Sequence, residues 1–157
     1  MKKTDPRKSR RVDSNELDAA PLGQAVDHAL EEAKKCGASA SEAAASLSQG
    51  LSVTVRMDDI ETVEHNRDRG LAVTVYFGER TGSASTSDYS ATSVKQTVRA
   101  ACSIARFTEE DACHGLADPD RLASEFPDLD LYHPWFLTVA EGKEIARTCE
   151  QAALDYD

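Results

Sequence analysis

From residue 41 to residue 87 apolar and polar side chains alternate with a period of two. That period belongs to strands with one covered face, so this third of the chain is committed to a sheet. Ala43, Ala45 and Leu47 alternate with Ala44, Ser46 and Ser48, and Leu51, Val53, Val55 and Met57 with Ser52, Thr54 and Arg56. Gln49-Gly50, Asp58-Asp59 and "RDRG" at 67–70 read as turns. In "IETVEHN" Ile60 and Val63 are out of phase by one residue, which a β-bulge would reconcile. The segments 71–77 and 81–87 complete the series. The pattern predicts an α/β protein of the α+β kind, an antiparallel β-meander of about 4–5 short strands flanked by helices.

The flanks carry a different period. Pro21 suits a first helical turn, and Leu22, Val26, Ala29, Leu30 and Ala33 recur at helical spacing. Gly37 is a suitable stop, which places a helix over about 22–36. Ser90 can cap a second helix whose apolar face is Val94, Val98, Ala101, Cys102 and Ala105, running to about Phe107. Asp118-Pro119 can open one short helical turn. "FPDLDLYHPWF" at 126–136 reads as an ordered crossing segment, because its apolar residues would otherwise face water. "TVAE" at 138–141 spells a capping box. The helix it starts carries Ile145, Ala146, Cys149, Ala153 and Tyr156 on one side, and is expected to pack on the meander or to fray. No stop signal precedes Asp157, so the chain is expected to be the front part of a longer protein; a natural end on a frayed helix is the alternative.

Charge divides the chain. Residues 1–15 carry six Lys/Arg and two Asp, while the chain as a whole has 18 basic and 28 acidic side chains and a net charge of −10. Residues 1–20 therefore read as a disordered basic tail and 21–157 as one acidic domain. An acidic body lacks the basic face of a nucleic-acid binder, so no direct nucleic-acid binding is expected. No apolar run reaches the roughly 20 residues of a membrane span, and the basic N-terminus lacks the apolar core of a secretory signal. The four scattered cysteines, Cys36, Cys102, Cys113 and Cys149, read as small hydrophobes with free thiols in a reducing, cytoplasmic setting.

A search for chemistry returns no catalytic constellation and no metal-ligand set. His28, His65, His114 and His133 form no H-E-x-x-H pair, and Cys113-His114 has no companion at zinc spacing. No serine sits in a G-x-S-x-G elbow. "GERTGS" at 78–83 lacks the spacing and the Lys of a phosphate loop and reads as a hairpin turn. Glu61 and Glu64, near Asp58 and Asp59, read as a solvated strand face. Neither zinc binding nor proteolysis is expected of this chain alone.

The stretches "VRMDDIETVEHNRDRGLAVTVYFGERTGSASTSDYS", "ARFTEEDACHGLAD" and "FPDLDLYHP" resemble the N-terminal region of a PmbA (TldE)-type subunit of the TldD/PmbA metalloprotease family. The resemblance covers roughly residues 20–157. It implies a cytoplasmic heterodimer with a TldD-type subunit that cleaves unfolded peptides, with roles in maturing a microcin-type peptide and degrading an antitoxin. It also implies that the zinc-binding histidines belong to the TldD-type partner, and that this chain ends before the C-terminal half of its own subunit. No catalytic residue carries over. A stand-alone interaction or scaffold module that modulates a TldD-type partner is the alternative.

The segment 81–87 has almost no side-chain volume. Small residues there can let the helix at 90–107 lie close on the sheet, with Gly82 and Ala84 beneath it. They can also leave an exposed edge unobstructed for an incoming peptide, with Thr81, Ser83, Ser85 and Ser87 as candidate substrate-binding residues.

Overall fold

The computed structural model describes residues 20–131 and 133–156. The basic tail at 1–19 lies outside them. Helix α1 (Ala20–Lys35) is followed by three strands, β1 (Ala40–Arg56), β2 (Asp59–Phe77) and β3 (Arg80–Thr86). Helix α2 (Ala91–Phe107), a 3₁₀ turn at Pro119–Arg121 and helix α3 (Val139–Leu154) complete the elements of the described residues. The sheet is antiparallel in the order β1-β2-β3. The α+β class is the expected one.

Among the described residues the strand count is three rather than four or five. Two of the expected turns are absent because the strands run straight through them. Gly50 lies opposite Asn66, and the "RDRG" residues pair with 46–49. Neither Gly50 nor Gly70 has a positive φ. An antiparallel ribbon satisfies its backbone N–H and C=O groups whatever its side chains are, so a polar stretch does not end it. The turns that do form are two-residue loops. Met57 and Asp58 both have positive φ, 52° and 67°, between the paired residues Arg56 and Asp59. Gly78 takes φ 63° between Phe77 and Arg80. Both are hairpin geometries whose twist matches the strands. The expected bulge is present: Val55 pairs with Ile60 but Thr54 with Thr62, leaving Glu61 as the extra residue.

Helices α1 and α2 cover one face of the sheet at its three-stranded end. The core there consists of Ala25, Ala29 and Ala33 from α1, Leu71, Val73 and Val75 from β2, and Val94, Val98, Ala101, Cys102 and Ala105 from α2. Burying each of its Leu and Val side chains is worth about 1.5–3 kcal/mol. α1 ends as its Gly37 anticipates. Gly37 has φ 84°, its N–H donates to the Lys34 carbonyl (3.0 Å), and the Ala38 N–H reaches back to the Ala33 carbonyl (3.2 Å), a Schellman pattern. The Ser90 hydroxyl caps α2 by accepting from the Ser93 N–H.

Beyond the three-stranded end, β1 and β2 continue as a two-stranded ribbon, and α3 lies against its tip. Thr138 and Glu141 make the predicted capping box. The face of α3 that meets the ribbon differs from the expected one. It contains Val139, Gly142, Lys143, Ala146 and Glu150, while Ile145, Cys149, Ala153 and Tyr156 are exposed. Gly142 decides this, since a Cβ there would sit 2.9 Å from Val53 Cγ2. Charge completes the contact. The Glu150 carboxylate accepts from the Met57 and Asp58 N–H groups (2.6 and 2.9 Å), Lys143 lies 3.5 Å from Asp59, and Arg147 pairs with Asp58. The described residues of the segment, 126–131 and 133–136, leave their large apolar side chains uncovered: Phe126 is 84% exposed and Trp135 75%.

Candidate functional site

β3 pairs with β2 along one side and, among the described residues, with no strand along the other. Its side chains alternate between two environments. Gly82 is buried and Ala84 half-buried beneath α2. A Cβ on Gly82 would meet the Ala101 carbonyl and lie 2.5 Å from the Ala105 nitrogen, so only glycine allows the helix this close. Close packing thus accounts for the even-numbered half of the small-residue pattern.

It does not account for the odd-numbered half. Thr81, Ser83 and Ser85 stand opposite Tyr76, Thr74 and Ala72, on the face of the sheet away from the helices. Ser83 and Ser85 are exposed and Thr81 half-buried. Ser87 is exposed just past the end of β3 rather than within it. The Ser83 and Thr74 hydroxyls are hydrogen-bonded at 2.9 Å. The same face holds Glu42, which accepts from the Tyr76 hydroxyl at 2.9 Å. The Tyr76 phenol is pushed above its ordinary range, first by burial and then by that carboxylate. Sequence reading passed over this Tyr–Glu pair, because the alternation of β2 marks only the apolar residues of the opposite face.

The end of β3 is held by two further clusters that no motif announced. Asp88 accepts from the Ser90 N–H (2.9 Å), the Ser90 hydroxyl (2.8 Å) and the Ser93 hydroxyl (2.7 Å). These bonds, Ser93's foremost, lower its pKa to about 2. Tyr89 reaches across to the point where β3 stops and the ribbon begins. Its hydroxyl lies 2.6 Å from the Ser46 carbonyl and 3.2 Å from that of Gly70, with the Arg69 guanidinium over its ring. The exposed edge is therefore short, anchored where β3 ends and lined by hydroxyls. Such an edge can donate and accept main-chain hydrogen bonds to an extended peptide with little regard to its sequence.

The histidines are dispersed. His28 lies 3.9 Å from Glu32 on α1, His114 lies 3.7 Å from Asp111, and His133 lies 3.9 Å from Asp130. His65 is on the exposed ribbon. Among the described residues no three His, Cys, Asp or Glu side chains converge as metal ligands. Glu61 is paired with Arg56 and Glu64 is exposed, the solvated face expected of them. No helix among the described residues is long and apolar enough to cross a membrane.

An α+β domain with two helices on a three-stranded sheet and a third on a long β-ribbon is the class these elements define. Residues 41–105 match the PmbA/TldA metallopeptidase domain 1 family. The chain belongs to that family and corresponds to the N-terminal region of its PmbA-type members. A metalloprotease PmbA homolog of Haemophilus influenzae is 48% identical over 136 residues, which is 87% of this chain and 30% of that protein. Metalloprotease PmbA of Escherichia coli O157:H7 is 46% identical over 138 residues, with the same coverage. The chain thus spans about a third of the length of these curated relatives. Among solved structures, a Bacteroides thetaiotaomicron protein named as a candidate modulator of DNA gyrase superposes with a TM-score of 0.75 at 26% identity, covering 86% of this chain and 31% of that one. TldE from Thermococcus kodakarensis shares the fold, with a TM-score of 0.55 at 17% identity over 71% of this chain and 25% of that one.

Proposed function

We propose that this domain is a noncatalytic wall of a peptidase chamber in a PmbA/TldE-type subunit, where β3 accepts an unfolded peptide by strand addition. In this reading the subunit works in the cytoplasm as a heterodimer with a TldD-type partner, and the partner supplies the zinc and the hydrolytic chemistry. The observation that carries the reading is the split on β3. Packing explains Gly82 and Ala84, while Ser83 and Ser85 remain exposed on an edge strand with no partner strand among the described residues. An edge with small side chains recognises backbone rather than sequence, which suits a peptidase that takes unfolded chains. Family membership supports the peptidase context.

The test uses the longer polypeptide that carries this domain, assembled with a TldD-type subunit. Ser85→Trp places a large ring beside the edge. The expected result is a fall of about tenfold in kcat/KM on an unfolded peptide, equivalent to about 1.4 kcal/mol. Zinc content, assembly and the circular dichroism spectrum should be unchanged. Unaltered turnover would overturn the edge reading. The alternative, an interaction module that modulates a TldD-type partner, draws on the exposed Phe126, Leu129, Leu131 and Trp135. In that case Trp135→Ala would weaken assembly while Ser85→Trp left turnover alone.

A further inference from the structure

The geometry points to Cys36 and Cys102 as a redox-active dithiol that a small-molecule disulfide can close into a bond between α1 and α2. Four observations place the two thiols together. Cys36 follows Ala33 by three residues, so it continues the row of α1 that packs in the core, and it sits half-buried against that core. Cys102 is buried in the same cluster on α2. Arg106, one turn beyond Cys102 on α2, donates to the Cys36 carbonyl at 3.2 Å, so this stripe of α2 faces the end of α1. The α1 side of the contact is alanine, Ala29 and Ala33, which permits the close helix approach that a disulfide's short Cα separation requires. Neither Cys113 nor Cys149, both exposed, belongs to this cluster.

Exposure sets the order of events. The half-buried Cys36 is the thiol a solute can reach, and Cys102 is the resolving thiol behind it. Burial, followed by the neighbouring Cys36, pushes the Cys102 thiol up to about 11, which keeps it protonated and quiet until a mixed disulfide forms beside it. In the first step the Cys36 thiolate attacks a sulfur of oxidised glutathione. The S–S bond breaks, and one glutathione leaves with the electron pair and takes up a proton. In the second step Cys102 loses its proton and attacks the Cys36 sulfur, and the second glutathione departs. The protein dithiol is oxidised by two electrons and glutathione disulfide is reduced to two thiols. The closed bond would tie the end of α1 to α2 and enclose all three strands in its loop, restricting the unfolded chain.

The test is to equilibrate the intact polypeptide carrying this domain with glutathione buffers of increasing oxidised fraction. Remaining thiols are then blocked with N-ethylmaleimide, and the digest is mapped by mass spectrometry. The expected result is a cross-linked Cys36–Cys102 peptide pair, lighter by two hydrogens than the reduced pair and restored by dithiothreitol. Its formation should raise the thermal midpoint. Cys36→Ser and Cys102→Ala should each abolish the cross-link, whereas Cys113→Ser and Cys149→Ser should leave it intact. The proposal is overturned if both thiols are alkylated at every buffer ratio. It is equally overturned if glutathione stays on Cys36 without resolution, or if cross-links form only through Cys113 or Cys149.

Discussion

Two residues show how much rests on single positions. At Gly82 the constraint is steric: a methyl group would be 2.5 Å from the Ala105 nitrogen and would also strike the Ala101 carbonyl, and backbone cannot swing aside as a side chain can. Gly82→Ala should therefore lift α2 from β3 and cost about 1–3 kcal/mol, read from urea denaturation. Ser85→Ala, on the opposite face, should leave the denaturation midpoint nearly unchanged. At Asp88 the constraint is ionic. Its three hydrogen bonds hold its folded pKa near 2 against an ordinary value of 3.8. A depressed carboxylate contributes stability that is fully present above the unfolded value and is lost as pH falls through the folded one. Wild-type protein should lose that contribution between about pH 4 and pH 2. Asp88→Asn should be less stable at neutral pH and should show a shallower loss over that acid window, measured by thermal midpoints against pH.

At the scale of elements, α1, α2 and the three-stranded end of the sheet share a core of fully buried aliphatic side chains. α3 does not. Gly142 is its one buried residue among those described, and its hold on the ribbon is largely charge: Glu150 on the turn amides, Lys143 on Asp59, Arg147 on Asp58. Few buried apolar contacts mark an element that opens first. Glu150→Gln removes the charge from the pair of bonds to Met57 and Asp58, worth about 1 kcal/mol in a partly exposed setting. Amide exchange across α3 should then rise several-fold, while α2 keeps its protection. Equal changes in both helices would show that the clasp is coupled to the core.

At the scale of the whole molecule, the sheet serves two ends. One is a packed α+β unit with β3 at its edge. The other is a ribbon with α3 at its tip, preceded in the chain by the exposed Phe126, Leu129, Leu131, Trp135 and Phe136. The strand edge that pairs with no strand among the described residues and the exposed apolar side chains are surfaces of the kind that contacts with further protein use. The curated relatives, of which this chain spans about a third, place such a domain within a larger metalloprotease. The same arrangement underlies the proposed role of β3. An edge anchored at its end by Asp88 and Tyr89 can present a peptide without supplying the chemistry that cuts it.

Local physics made much of this legible in the sequence. The caps at Ser90 and Thr138, the stop at Gly37, the apolar stripe of α2 and the bulge at Glu61 all follow from spacing and backbone preference, which act over a few residues. The family was legible too, from long matched stretches rather than from any motif of chemistry. The rest depended on partners distant in the chain. Gly50 and Gly70 carry turn signals, yet each lies within a strand because its neighbour across the ribbon holds it extended. α3 turned Gly142 and Glu150 inward rather than Ile145 and Cys149, because Val53 and the positive-φ turn at Met57-Asp58 offered a fit for a glycine and a carboxylate. For β3 the sequence by itself determined only that the strand is small on both faces. Tertiary structure divided it, since α2 lies on Gly82 and Ala84 and nothing described lies on Ser83 and Ser85, and which face a helix covers is set by long-range packing that no local pattern encodes.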